Sequence, residues 1–237
     1  LRALGNSKVP LYFLILSALL NIALDLLLII VFGLGASGAA YATVIAQGIS
    51  GLLCLVYVKL KVPLLHLERD DWRPKGYLLK MQFAVGVPMA LQYSITAIGT
   101  MMVQTSQNLL GSNIVAAFTA ASKIEQVVTQ AYVALGTTMA TYCAQNIGAG
   151  KIKRIREGFK SSTIMASIYA VVTAALIMTV GKYMTYLFVS DNVIEIMSNV
   201  DIYLKCIGVF FIPLAIVNLY RNGIQGMGYG LLPMMAG

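Results

Sequence analysis

The chain has few charged residues. Aspartate, glutamate, lysine and arginine make up 11% of its 237 residues, whereas 59% are hydrophobic and the mean hydropathy is +0.80. In a soluble domain, about a quarter of the residues are charged. The composition therefore excludes an ordinary water-soluble fold and predicts an all-α protein that crosses the lipid bilayer several times.

Histidine and cysteine are also scarce. His66 is the only histidine, and the three cysteines, Cys54, Cys143 and Cys206, lie far apart with no histidine nearby. This spacing indicates neither a disulfide framework nor a zinc site. The sequence has no Ser–His–acid set and no pair of carboxylates in one segment, so we predict that the protein is not an enzyme and needs no cofactor.

Basic residues outnumber acidic ones, 17 to 9, for a net charge of +8. A positive charge can indicate nucleic-acid binding, but here most bases lie in alternate joints between hydrophobic segments, as the positive-inside rule describes. We therefore expect no nucleic-acid partner and a location in the cytoplasmic membrane. The joints predicted to be cytoplasmic are residues 1–8, 59–80, 148–160 and 221–230.

Six hydrophobic segments are long enough to span a bilayer as helices. A charged stretch over residues 59–80 separates the second from the third, and Pro63, Pro74 and Gly76 interrupt it. Pro88 predicts a bend in the third helix. The segments run from about 10–32, 36–58, 77–110, 113–147, 159–188 and 193–220.

A single charged residue, Asp25, lies among the fifty residues from Val9 to Val58. Asn21 lies one turn earlier on the same helix face, and a helical hairpin would bring Asp25 and Thr43 to within about 5 Å in depth. Placing a carboxylate there costs about 2.5–3.5 kcal/mol, so such a group usually faces the bundle interior and has a function. The alternative is a structural polar contact between two helices.

Polar residues also follow one face of the third helix. Gln92, Thr96, Thr100 and Gln104 recur every four residues, a pattern expected of a helix that lines a wet cavity. The fourth helix adds an embedded acid, Glu125, which lies close enough in sequence to Lys123 for an ion pair to be the alternative. We predict a substrate cavity lined by Gln92, Thr96, Thr100, Gln104, Glu125 and Gln126.

The two ends of the chain share a short pattern. Gly5 and Pro10 recur as Gly228 and Pro233, each pair before a hydrophobic segment. Two matches in ten positions can arise by chance. Otherwise they indicate two helix bundles in tandem, an arrangement found in secondary transporters.

Five motifs lie along the chain in this order: Arg2–Pro10 (RALGNSKVP), Asn21 with Asp25, Gly38–Thr43 (GAAYAT), Gly86 with Pro88, and Ala144–Lys151 (AQNIGAGK). Together they resemble the bacterial branch of the multidrug and toxic compound extrusion (MATE) transporters. The resemblance implies twelve helices in two lobes, of which this chain holds the fifth to the start of the eleventh. Residues 1–58 would end the amino-terminal lobe, residues 59–80 would link the lobes, and residues 81–237 would begin the carboxy-terminal lobe.

The resemblance also implies a site for the coupling cation. Asn21, Asp25 and Thr43 match part of the family's cation site in the amino-terminal lobe, where Na⁺ or H⁺ binds, and the first-helix acid of that site lies outside this chain. Some members of the family also carry coupling acids on the seventh and tenth helices. Here the seventh offers only Gln92, Thr96 and Thr100, and the tenth has Asn218 but no acid in its inner half, since Asp201 lies near its outer end.

The implied function is cation-coupled antiport. The protein would act as a monomer that exports organic, often cationic, drugs or metabolites. The alternative is a flippase for lipid-linked saccharides, for which a strongly basic cavity would be expected. A third possibility, a membrane scaffold that transports nothing, predicts helices without polar seams.

Overall fold

The computed structural model describes residues 1–66, 71, 73–187 and 193–236. These residues fold into helices joined by short turns, without a β-strand in the described ranges. The chain forms two compact units, Leu1–Lys75 and Gly76–Gly237. The all-α prediction is confirmed.

The first unit is a helical hairpin. Helix α1 (Lys8–Asp25) continues into a π turn (Leu26–Val31), and α2 (Gly35–Lys61) returns beside it. Short 3₁₀ turns at Arg2–Leu4 and Pro63–Leu65 flank the pair. The hairpin turns at Gly33 and Gly35, where φ is 65° and 54°, values that glycine adopts without steric strain.

Small residues let α2 approach α1 closely. The buried positions of α2 recur every four residues, and a Cβ added at Gly38 would lie 3.2 Å from the backbone of Leu28. Close backbone approach through small residues is the usual packing mode of membrane helices. The buried residues of α2 are Gly38, Ala42, Ala46 and Ser50.

The second unit packs around helix α4. Its helices are α3 (Gly76–Asn108), α4 (Ser112–Gly148), α5 (Ile152–Val180), α6 (Val193–Val209), α7 (Phe211–Gly226) and α8 (Leu231–Ala236). A 3₁₀ turn, Gly181–Leu187, extends α5. Tyr132 of α4 is fully buried and contacts the rings of Tyr169 in α5 and Phe211 in α7 edge-on, with centroids 5.5 and 6.0 Å away.

Four helical stretches in the described ranges are long and apolar enough to cross a membrane: Lys8–Val31, Gly35–Lys61, Gly76–Asn108 and Ile152–Tyr186. The pair Ile196–Val209 and Phe211–Gly226 adds a fifth if it counts as one span bent by 52°. We predicted six spans, and α4 is the one that falls short. Polar residues interrupt its apolar sequence, and much of its surface packs against the other helices.

Three predicted boundaries were wrong. Helix α5 begins at Ile152 instead of residue 159, so most of the basic stretch is helical. The sixth helix breaks at Phe210, because Pro213 lacks a backbone N–H and its ring collides with the carbonyl of Val209. Helix α7 continues to Gly226, so the joint predicted over residues 221–230 is largely helical.

The charged stretch predicted over residues 59–80 is shorter than expected, since α2 reaches Lys61 and α3 begins at Gly76. Helix α3 continues through Pro88 without a break in its helical assignment. Parts of two predicted segments, residues 67–70 with 72 and residues 188–192, lie outside the described residues.

Candidate functional site

Asp25 lies where α1 gives way to the π turn. It is the last residue of α1, and the widened turn follows at once, with the N–H of Phe32 bonded to the carbonyl of Leu27 at 3.1 Å. Such turns are rare in proteins, and many of those that occur lie at functional sites. Oδ1 of Asp25 is shielded from solvent and has no hydrogen-bond partner among the described residues. A shielded polar atom without a partner is rare in folded proteins and is a candidate ligand for a bound ion.

Asn21 and Thr43 meet across the helix pair. Nδ2 of Asn21 donates to Oγ1 of Thr43 at 3.3 Å, and the Thr43 hydroxyl donates to the carbonyl of Ala39 at 3.0 Å. The first bond joins α1 to α2 one turn before Asp25. Because the amide donates through nitrogen, its oxygen stays available as a ligand. Carboxylate, amide and hydroxyl oxygens are the ligands that hard cations take. The coupling role of the three residues stays a prediction.

A cavity in the first unit lies closer to the ends of the hairpin than Asp25 does. It measures about 650 Å³, and its polar lining residues are Arg2, Ser17, Gln47 and Ser50. Ser50 donates to the backbone carbonyl of Phe13 at 2.7 Å, so this serine joins the two helices.

On the polar face of α3, only Gln92 of the four predicted residues forms a hydrogen bond to another helix among the described residues of the unit. Gln92 is buried, and its Oε1 accepts a hydrogen bond from Nε2 of Gln225 in α7 at 3.3 Å, whereas its own Nε2 is buried without a partner in the described ranges. Thr96 and Thr100 are exposed and donate to carbonyls of their own helix at 2.9 Å. Gln104 is exposed as well.

Glu125 pairs with a tyrosine. Oε2 of this half-buried acid accepts a hydrogen bond from the hydroxyl of Tyr203 in α6 at 2.9 Å, and the tyrosine ring packs edge-on against Phe118 at 5.2 Å. Among the described residues, Glu125 forms no ion pair with Lys123. Residues two apart on a helix point in different directions.

The predicted cavity residues lie on two helices of the second unit, α3 and α4. Gln126 is exposed on α4. No hydrogen bond between described residues joins the α3 seam to Glu125 or Gln126. Their assignment to a cavity stays a prediction.

Tyr203 and Gln225 are polar partners that the sequence reasoning missed. Gln225 was placed in a cytoplasmic joint because glycine is frequent around it. The spacing of four and three between Asn218, Asn222 and Gln225 would have indicated that the helix continues. Tyr203 carried no such signal, because tyrosine is common throughout this chain.

Long apolar helices with polar groups held between them define a polytopic membrane protein. Residues 84–237 match the sequence model of the MatE family. The chain is 36% identical to the probable multidrug resistance protein YpnP of Bacillus subtilis over 99% of its own length and 52% of that protein. It is 30% identical to the probable multidrug resistance protein YoeA of the same organism, over 81% of its length and 43% of that protein.

The fold is also that of solved transporters. A transporter of the MOP superfamily from Pyrococcus furiosus superposes with a TM-score of 0.87 at 23% identity, over 94% of this chain and 50% of the other. The chain spans about half the length of the curated relatives it matches. It belongs to the MatE family, whose members are membrane transporters and not enzymes. The predicted family and the polytopic all-α fold are confirmed.

Proposed function

We propose that the whole protein is a cation-coupled antiporter of the cytoplasmic membrane, which exports organic, often cationic, drugs or metabolites in exchange for Na⁺ or H⁺. Membership of the MatE family and the names of the two Bacillus relatives support export of drugs. These names do not support the lipid-linked saccharide flippase. The observation that carries the coupling proposal is the buried Oδ1 of Asp25, which has no partner among the described residues.

The mechanism rests on a change of charge at Asp25. Binding of a proton or Na⁺ at Asp25, beside Asn21 and Thr43, neutralises the carboxylate and lowers the cost of closing the helix pair around it. A ligand shifts a conformational equilibrium only by its different affinities for the two states. The π turn next to Asp25 is the element that could repack between those states, because its hydrogen bonds already depart from the α-helical pattern.

Replacing Asp25 by asparagine tests the coupling role. The substitution keeps the size of the side chain, but an amide can be neither protonated nor neutralised, so dye efflux driven by an imposed ion gradient should fall by at least about tenfold, the effect of 1.4 kcal/mol. Efflux is measured with the whole protein in vesicles, with Na⁺ and pH gradients applied separately. The gradient that drives the unaltered protein identifies the coupling ion.

Asp201→Asn is the matched control. Asp201 forms an ion pair with Lys205 one turn away on α6, and the lysine side chain is half exposed, so its loss should change efflux little. Normal gradient-driven efflux by Asp25→Asn would refute the role of Asp25.

We further propose that Gln92, Thr96, Thr100, Gln104, Glu125 and Gln126 line the path of the substrate. The support is the exposure of four of them on helices of a membrane protein, where polar groups facing lipid are costly. The charged joints are proposed to be cytoplasmic, from the distribution of lysine and arginine.

A further inference from the structure

One face of α5 borders a groove beside α7. The groove has a volume of about 660 Å³ and is closed on the α7 side by Tyr220. The lining positions of α5 recur every three or four residues and so form a single face of the helix. They include Ile152, Arg156, Phe159, Lys160, Thr163 and Ile164.

The groove is positively charged at one end. Arg156 and Lys160 are one helical turn apart and exposed, and no carboxylate of a described residue forms an ion pair with either. The nearest acid in sequence, Glu157, lines a separate groove with Thr138 and Tyr142 of α4. A guanidinium and an ammonium at this spacing can bind one phosphate between them.

The rest of the groove is apolar and aromatic. The rings of Phe159 and Tyr220 stack with their centroids 4.8 Å apart and their planes 23° from parallel, which forms a flat wall between α5 and α7. Ile164 lies one turn further along α5 and is 52% exposed. A ligand that fits this surface has an anionic head and a hydrocarbon chain.

The length of α5 places the charged end at the membrane surface. At 1.5 Å per residue its 29 residues extend about 43 Å, against about 30 Å for the hydrocarbon core. Every charged residue of α5 lies at or before Lys160, whereas Ser161–Val180 has none. The excess of about 13 Å therefore lies at the charged end. Arg156 and Lys160 reach the depth of lipid headgroups, and Ile164 reaches the acyl chains.

We propose that this groove is a binding site for an anionic phospholipid, with its phosphate held by Arg156 and Lys160 and an acyl chain against Phe159, Tyr220 and Ile164. Basic pockets between membrane helices bind acidic lipid headgroups in this way. The proposal does not depend on which substrate the protein transports.

The test is lipid binding by the purified whole protein in a neutral detergent. Native mass spectrometry compares phosphatidylglycerol with phosphatidylcholine of the same acyl chains. The double variant Arg156→Gln with Lys160→Gln should lose about fivefold in phosphatidylglycerol affinity per base, roughly 25-fold in all. Phosphatidylcholine binding should not change.

The matched control removes the same charge from the same helix. Lys153→Gln with Arg154→Gln alters two bases that do not line the groove, so affinity for phosphatidylglycerol should be kept. Equal losses in both double variants would show a general surface-charge effect and overturn the proposal, as would no loss in either.

Two further arms complete the experiment. Inorganic phosphate alone should not displace phosphatidylglycerol, and displacement at equal concentration would mean a site for a soluble anion instead of a lipid. The single variants Arg156→Gln and Lys160→Gln are measured in parallel, each with an expected loss of about fivefold. If the double variant does not fold, a loss of phosphatidylglycerol affinity in the single variants still supports the lipid site, and unchanged affinity in both overturns it.

Discussion

At the scale of single residues, the two embedded acids differ in how they are satisfied. Oδ1 of Asp25 has no hydrogen-bond partner in the part of the chain that the structure describes. Oε2 of Glu125 accepts a hydrogen bond from the hydroxyl of Tyr203 at 2.9 Å. The shielded oxygen of Asp25 leaves room for a ligand, which agrees with the proposed cation site. The hydrogen bond from Tyr203 holds Glu125 in a fixed position on the proposed path of the substrate.

Replacing Glu125 by glutamine should therefore separate substrates by charge. The amide oxygen of the new side chain could still accept the Tyr203 hydrogen bond, so the fold should be kept while the negative charge is lost. We expect efflux of a cationic dye to fall about tenfold, as for a loss of 1.4 kcal/mol, with efflux of a neutral dye nearly unchanged. Initial efflux rates of the two dyes from loaded vesicles measure this.

Glu157→Gln serves as the control for the loss of one acid, since Glu157 is exposed near the charged end of α5. Equal falls for the cationic and the neutral dye in Glu125→Gln would mean that Glu125 supports the structure instead of attracting the substrate.

The closeness of Asn21 and Thr43 could be predicted from the sequence, whereas the polar partners of Glu125 and Gln92 could not. Asn21 and Thr43 lie on two helices joined by a short turn, so helical rise alone sets their depth. Tyr203 is 78 positions from Glu125, and Gln225 is 133 from Gln92. Contacts that far apart depend on how helices pack, which a pattern within one helix does not contain.

At the scale of secondary-structure elements, two glycines allow α4 and α7 to pack closely against each other. A Cβ added at Gly226 would lie within van der Waals overlap of the backbone of Ala140, and one at Gly136 would lie 2.6 Å from the amide of Asn222. A side-chain amide can move aside, but a helix backbone cannot without shifting the whole helix.

Gly226→Ala should consequently destabilise the second unit. Overpacking against backbone costs about 1–3 kcal/mol, more than the gain of about 1 kcal/mol from the better helix propensity of alanine. We expect a melting temperature several degrees lower for the whole protein in detergent. Gly99→Ala, where a Cβ meets nothing within 4 Å, should leave the melting temperature equal or slightly higher. A drop of the same size at Gly99 would contradict the packing argument.

Proline shows the limit of local patterns. The chain stays helical through Pro88, where the predicted bend stays a prediction, whereas Pro213, for which no bend was predicted, lies just after a break of 52°. Both residues remove one backbone hydrogen bond. Pro88 is buried and would be 3.2 Å from a Cβ at Gly230, so packing supports the helix there.

At the scale of the whole molecule, composition was enough for the fold class. Scarce charge and long apolar segments predicted a polytopic helical protein, because backbone polar groups in lipid must bond within the segment. Helix α4 is not apolar enough to count as a span by composition, since it is the central helix of its unit and carries more polar residues than its neighbours.

The predicted orientation can be tested by labelling. In a variant of the whole protein whose cysteines are replaced by alanine, Ser112→Cys should react with a membrane-impermeant maleimide in intact cells. Ser112 lies at the turn between α3 and α4, which alternates with the joints predicted to be cytoplasmic and so should face outward. Lys153→Cys should react only after the cells are permeabilised, since the positive-inside rule places it in the cytoplasm. Lys61→Cys is the control and should behave like Lys153→Cys. Labelling of Lys153→Cys in intact cells would reverse the orientation.

The π turn after Asp25 has one more consequence, for how this stretch tolerates change over evolution. The turn consists of six aliphatic residues, Leu26–Val31, and a π turn holds one residue more than an α-helical path would. The orientation of Asp25 relative to the face of α2 that carries Thr43 therefore depends on how many residues the turn contains, more than on which aliphatic residues they are. Exchange of one branched aliphatic residue for another leaves that angle alone, whereas the loss of a single codon rotates the following chain by about 100°.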